Sequence, residues 1–409
     1  MNHPEHWTLS NGIRVIFMQV NSTVAHCGLF INAGSRDEFQ NEHGIAHYIE
    51  HCVFKGTKHR KAFHVLTRME DVGGEINAYT TKEETCLYTT FLSPHLDRAL
   101  DLLNDIAFSS SFPEKEIVKE KSVIIDEINA YRDSPSDEIY DRFEDQVYKN
   151  HSLGHDILGT ASHLKKFKHQ DLINFTKRCW NTDEMVISVV GNFKRKNLET
   201  LIQKYFGQQA ANIRTFNRMP PSNYSPSHAV IKRKNHQAHL VLGARTYGVR
   251  DEQRTTLVLL NNLLGGPGMS SRLNLSIREK YGFTYNIDSS YAIYSDTGLW
   301  SVYLGTEGNT VERCRELVMK ELKKLRENPL STLQLHKAKN QLKGQIAIAQ
   351  ESNGSLMLGF AKTFLLFNRV DSFEEICTKI DSITAGKIQT VSNELFDEKQ
   401  LSTLLYPAN

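Results

Sequence analysis

Long apolar runs are missing from this 409-residue chain. None approaches the roughly 20 consecutive apolar residues that a membrane-spanning helix needs. An excess of one charge sign is missing as well. Lys and Arg number 49 against 47 Asp and Glu, a formal charge of +2, so the balance calls for neither nucleic acid nor an acidic membrane as partner. Cysteine is sparse: six residues are scattered without CxxC spacing. That argues against a disulfide framework or a zinc ribbon and reads as free thiols of a reducing compartment. The opening residues lack both the basic-then-apolar pattern of a secretory leader and the Arg- and Ser-rich pattern of a transit peptide. The expectation is a cytoplasmic protein. What is present, 40% apolar and 23% charged residues, describes a soluble globular chain with room for two domains.

Strand-like runs over Arg14–Val20 and Val24–Ala33 open the first half, after a strand and an Asn11-Gly12 turn. Helical patterns follow over His43–Phe54 and Lys61–Val72, then a strand-rich stretch Gly74–Leu92 and a helix over Leu96–Ala107. One long helical stretch runs from Pro113 to Tyr148, and a helix Asp171–Cys179 and strand Met185–Val190 close the half. Residues 207–227 hold three of the ten prolines, many polar residues and no apolar period, which predicts a linker. Beyond it the order repeats, and Gly248-Val-Arg-Asp-Glu252 echoes Gly34-Ser-Arg-Asp-Glu38 ahead of an apolar helix. The reading is a duplication: domain 1–206, linker 207–227, domain 228–409. Each domain is expected to be α+β, a mainly antiparallel sheet with helices packed on it. Position by position, His47, Glu50 and His51 fall opposite Asn261, Leu264 and Gly265, so the second copy has lost whatever chemistry the first carries.

That chemistry is written in His47-Tyr-Ile-Glu50-His51. Two histidines four apart project from one helix face, with the carboxylate of Glu50 beside them. Neutral imidazoles with a neighbouring carboxylate suit a zinc ion and a general base. The alternative, a solvated His/Glu patch, fits poorly with Ile45, Ala46, Ile49 and Val53 around it. A catalytic zinc site has three protein ligands, so one more is needed. Glu120 and Glu127 lie two turns apart on one helix face with Ile124 between them, and both are candidates. His43 is a spare imidazole, Gly265-Gly-Pro-Gly268 lacks the Lys-Ser/Thr of a phosphate loop and reads as a turn, and Trp7, Trp180 and Trp300 read as packing.

The H-x-x-E-H order followed by a helical Glu resembles the inverted-zincin peptidases, among them pitrilysin, insulinase and the mitochondrial processing peptidases. The resemblance spans Thr8-Leu-Ser-Asn-Gly-Ile-Arg-Val15, Asn32-Ala-Gly-Ser-Arg-Asp-Glu38, His51-Cys-Val-Phe-Lys-Gly-Thr57, Gly73-Gly-Glu-Ile-Asn-Ala-Tyr-Thr-Thr81 and His151-Ser-Leu-Gly-His-Asp-Ile-Leu-Gly159. In the second half it takes in Leu264-Gly-Gly-Pro-Gly-Met-Ser-Ser-Arg-Leu273 and Ile277-Arg-Glu-Lys-Tyr-Gly-Phe-Thr-Tyr285. The chain is similar to the half-length, two-domain, bacterial processing-peptidase-like members. Cys52, where the family often has Met, and Pro267 depart from the pattern without touching a ligand.

The resemblance implies that His47, His51 and Glu127 hold one Zn2+ per chain, that Glu50 is the catalytic base, and that Glu120 orients a ligand histidine. It implies that Arg278 and Tyr285 reach the substrate, and that Gly74, Asn77, Ala78, Tyr79 and Thr80 line the cleft as a strand edge pairing with an extended peptide. The activity implied is a zinc metalloendopeptidase acting on unstructured peptides. The opposing reading is a catalytically inactive scaffold or assembly subunit of the same fold. Two domains would form half of a clamshell chamber, implying a homodimer, with a heterodimer with a zinc-less paralogue as the alternative. Neither nucleic acid nor membrane is expected as a partner.

Overall fold

A computed structural model describes residues 3–409. Six strands, β1 (Glu5–Thr8), β2 (Arg14–Gln19), β3 (Val24–Ile31), β4 (Glu75–Thr80), β5 (Thr85–Leu92) and β6 (Met185–Gly191), form one sheet in the order β1-β2-β6-β3-β5-β4. Five more, β7 (His228–Val230), β8 (Ala238–Thr246), β9 (Thr284–Ile293), β10 (Gly298–Thr306) and β11 (Ser402–Tyr406), form the second in the order β7-β11-β8-β10-β9. Only the pairs β2–β6 and β7–β11 are parallel among the described strands. The α+β class with mainly antiparallel sheets holds.

The helices up to the linker are α1 (Ile45–Cys52), α2 (Ala62–Glu70), α3 (Leu96–Phe108), α4 (Glu114–Arg132), α5 (Pro135–Val147), α6 (Ala161–Lys166), α7 (His169–Cys179) and α8 (Arg195–Phe206). After it come α9 (Arg254–Gly265), α10 (Val311–Glu327), α11 (Thr332–Ala349), α12 (Asn353–Phe367), α13 (Phe373–Asp381) and α14 (Ala385–Leu395). None of the described helices is long and apolar enough to cross a membrane. The single long helix expected from Pro113 to Tyr148 is two. Pro135 cannot donate to the preceding turn and sits instead at the first position of α5, behind Ser134.

The chain divides into two compact units, and neither is contiguous. The first takes the chain up to Asn129, His155–Arg218 and Ile348–Ser372; the second takes Ala130–Gly154, Met219–Ala347 and Phe373–Asn409. This differs from cuts at 206 and 228 by two exchanged segments, one carrying α12 and the other α5. The cause is visible in β6, whose residues are buried on both faces. Ile187 and Val189 face the core that holds α1 and α3, while Val186 and Val190 face the other way with Ile16, Met18 and Phe30. That second face is covered by Met357, Ala361, Phe364 and Leu365 of α12. Ser188 Oγ donates to the Met357 carbonyl at 2.8 Å, and Arg14 Nη1 to that of Phe364 at 3.1 Å. In the second unit α5 does the same, laying Ile139, Phe143 and Val147 on Val241, Leu299, Leu404 and Tyr406. A strand pattern shows that both faces are apolar, not which helix covers each.

The expected linker has no regular structure, yet its first part is fixed. Asp37 Oδ1 and Oδ2 lie 3.0 and 2.7 Å from Arg214 Nη2 and Arg218 Nη2. Both arginines also donate to the Asn32 carbonyl, at 2.8 and 3.2 Å. Asp37 and the two guanidiniums are buried, so losing Asp37 strands buried positive charge and costs about 3–5 kcal/mol.

Candidate metal centre

Helix α1 starts at Gly44, which is in the left-handed region at φ +94 and has no side chain to cap with. Glu38 supplies the cap from a distance: its Oε2 accepts from Gly44 N at 3.0 Å and its Oε1 from Ala46 N at 2.9 Å. Gly159 lies against this start so closely that a Cβ there would stand 2.3 Å from the His43 carbonyl. Two motifs read from the sequence, Asn32–Glu38 and His151–Gly159, thus meet at the N-terminus of the helix that carries the histidines.

Ile45, Ala46, Tyr48, Ile49 and Cys52 bury one side of α1. His47 and His51 turn toward α4, where Glu120 and Ile124 are buried and Glu127 is half-exposed. His51 Nε2 is 3.4 Å from Glu127 Oε2, and His47 Nε2 is 3.9 Å from Glu127 Oε1. Among the described residues this is the one group of three His, Cys, Asp or Glu side chains whose ligand atoms all lie within 4.8 Å of one another. Ligand atoms about 2.0–2.2 Å from a tetrahedral zinc stand about 3.3–3.6 Å apart, so the cluster is spaced for an ion more than for direct hydrogen bonds. Burial, and then the charge of His51, brings the His47 pKa down to about 3, which leaves a neutral imidazole with a lone pair to give. The donor set fits zinc.

Glu120 stands behind the cluster. Its Oε1 is 3.0 Å from His51 Nδ1 and its Oε2 is 2.8 Å from Lys55 Nζ. An Nδ1–H donated to Glu120 turns the Nε2 lone pair of His51 toward Glu127. Glu50 Oε2 is buried without a hydrogen-bond partner among the described residues. Burial pushes the Glu50 carboxyl above the ordinary carboxylate range; Thr80 and His51 oppose the shift, and Glu127 adds to it. His43 stands apart from the cluster, its ring centroid 3.8 Å from that of His155 and 5.1 Å from that of His163.

The segment Gly74–Thr80 includes one of the two edge strands of the first sheet, since β4 pairs only with β5 among the described strands. Asn77 and Ala78 lie along that edge. The side chain of Tyr79 turns to the opposite face, toward α12, and donates to Glu84 Oε1 at 2.7 Å. In the second unit the Arg278 guanidinium lies 5.1 Å from the centre of the Tyr285 ring, which is 77% exposed. Arg278 belongs to a π-helical segment, Asn274–Glu279, a rare conformation that is frequent at functional sites. With Gly266–Met269, Asp288 and Tyr140 the pair lines a cavity of about 400 Å³.

The sequence reading missed Glu38 as a cap, Lys55 as a partner of Glu120, and Arg214 and Arg218 as anchors. Only Lys55 had a local signal, lying one helical turn beyond His51.

The profile described as Insulinase (Peptidase family M16) matches residues 14–161, and the one described as Peptidase M16 inactive domain matches residues 166–342. The chain is 34% identical over 404 residues to an uncharacterized zinc protease of Bacillus subtilis, covering 98% of each. It is 31% identical to one of Rickettsia bellii, covering 98% of this chain and 97% of that one. A protease of Helicobacter pylori has the same fold, with a TM-score of 0.92 over 99% of both chains at 23% identity. So has a peptidase M16 inactive domain from Pseudomonas fluorescens, at 0.92 and 18% identity over 100% of this chain and 99% of that one. The chain belongs to the insulinase family of peptidases, M16.

Proposed function

We propose that the chain is a zinc-dependent endopeptidase that hydrolyses unstructured peptides. The observation that carries this reading is the three-ligand cluster of His47, His51 and Glu127 with a buried, unpartnered oxygen of Glu50 beside it. Zinc held by three ligands is a Lewis acid that acidifies water and polarises a carbonyl. Glu50 Oε2 takes the proton of the attacking water and returns it to the leaving amine. Glu120 keeps the His51 tautomer, and the edge strand β4 pairs with the backbone of an extended peptide, giving affinity with little sequence preference. Arg278 and Tyr285 donate to substrate carbonyls or the developing oxyanion.

Two copies forming a chamber, each with a full set of these residues, is the assembly we assign; a heterodimer with a zinc-less paralogue is the competing one. The free thiols of all six cysteines fit a reducing compartment, and we place the protein in the cytoplasm. The inactive-scaffold reading has support from the inactive-domain profile, but that profile begins after Glu127, in the part where Asn261 and Gly265 replace the histidines. Metal analysis together with hydrolysis of a quenched, unstructured peptide tests the proposal. One zinc per chain and chelator-sensitive cleavage are expected. A zinc-loaded dimer without peptidase activity would favour the scaffold.

A further inference from the structure

His51 and Lys55 lie four residues apart across the end of α1 and the short 3-10 turn Val53–Lys55 that follows it. Both reach the same carboxylate on α4. Glu120 gives Oε1 to His51 Nδ1 at 3.0 Å and Oε2 to Lys55 Nζ at 2.8 Å, and its side chain is only 9% exposed. Two fixed points define the plane of a carboxylate; one leaves it free to turn about its last torsion, which is broad and soft. Lys55 is held in place in turn. The backbone leaves the turn through Gly56 at φ +135, and the Gly56 carbonyl accepts from Ser111 N at 3.1 Å. Lys58 N donates to the Ser109 carbonyl at 2.9 Å. The segment that follows Lys55 is thus tied to the one that leads into α4, so the ammonium and the carboxylate are brought together by backbone hydrogen bonds and not by two loose side chains.

We propose that Lys55 is a positioning residue for the metal centre. Its ammonium pins Glu120, so that Oε1 stays on His51 Nδ1 and His51 Nε2 stays turned toward His47 and Glu127. This rests on the reading of His47, His51 and Glu127 as the ligands. A lysine that serves only the surface would affect folding slightly and the metal not at all. One that acts through Glu120 alters the affinity for metal by more than any change in the metal-free fold accounts for.

The test measures the zinc dissociation constant by competition with a chromogenic chelator, and the melting temperature of the metal-free protein. Wild type, Lys55→Met, Lys55→Arg, Glu120→Gln and the Lys55→Met/Glu120→Gln pair are compared. Lys55→Met is expected to weaken zinc binding about 10–100-fold, the usual effect of losing an outer partner of a ligand, a loss larger than any fall in the metal-free melting temperature accounts for. Lys55→Arg restores most of the affinity, and the double variant binds no worse than Glu120→Gln alone. Zinc affinity of Lys55→Met within twofold of wild type overturns the proposal. So does a loss that Lys55→Arg does not rescue and that tracks a fall in the metal-free melting temperature. A wild-type chain that binds no zinc removes the ligand assignment itself, a result distinct from an intact site indifferent to Lys55.

Discussion

Glu38 caps the helix of the histidines through Ala46: its Oε1 accepts from the Ala46 N–H at 2.9 Å, inside the protein and away from water. Removing that acceptor leaves two buried N–H groups, those of Gly44 and Ala46, without a partner. Each costs about 1–3 kcal/mol. Glu38→Ala is therefore expected to destabilise the metal-free protein by about 2–4 kcal/mol, and Glu38→Gln by less, since an amide oxygen still accepts. Chemical denaturation reads this directly; an unchanged midpoint for Glu38→Ala would show that the helix start is held by something else.

Glu50→Gln separates binding from turnover. The amide cannot take a proton, while His47, His51 and Glu127 are untouched. Zinc content should stay at one per chain and the rate should fall by at least the 10²–10⁴-fold typical of a general base. Glu127→Gln should lose both, because a neutral amide is a poor zinc ligand. Normal activity in zinc-loaded Glu50→Gln protein removes Glu50 from the mechanism, and full zinc content in Glu127→Gln points to another third ligand.

Acid sensitivity should carry the mark of His43. Burial, followed by the neighbouring His155 and His163, brings its pKa down to about 4. An unfolded histidine titrates near 6.5. Between those values the unfolded chain binds a proton that the fold refuses, so this contribution is complete above about pH 6.5 and is lost as pH falls toward 4. Replacing His43 with Asn should flatten the decline in stability across that window. Urea midpoints at pH 7 and 4.5 test it, and parallel declines for both proteins refute it.

Substrate size provides a test of the assembly. If two copies close around the site, extended peptides of a few tens of residues are cut and the same bonds inside a stably folded carrier survive. Rates on one sequence presented both ways, together with the mass in solution, decide the matter. Equal rates, or a fully active monomer, would rule the chamber out.

The candidate residues on the first helix were legible because their logic is local. His47, Glu50 and His51 lie within one helical turn and a half, and spacing alone puts them on one face. Spacing alone left Glu127 as one of two candidates, and the family resemblance chose between them; the fold brings both carboxylates to the histidines, Glu127 in front of His51 and Glu120 behind it. The break at Pro135 was missed because apolar residues continue on both sides of it, so the pattern reads as one helix while the backbone makes two. Arg214 and Arg218 looked like ordinary linker charges, since a sequence does not say that Asp37 waits for them in a buried site. Pairings between residues far apart in the chain leave no periodic trace.

The exchange of α5 and α12 sets a timetable for synthesis. The face of the first sheet made by Ile16, Met18, Phe30, Val186 and Val190 has every strand it needs once β6 has emerged, yet its cover arrives only with Met357 and Phe364. At elongation rates of about 5–20 residues per second, that face stays open for on the order of ten seconds or more. A nascent chain in this interval presents a bare apolar surface, which is prone to aggregation until it is covered. It also means that neither unit can be made from one uninterrupted piece of the gene: a fragment ending in the linker carries His47, His51 and Glu127 and lacks the helix that closes the sheet behind it.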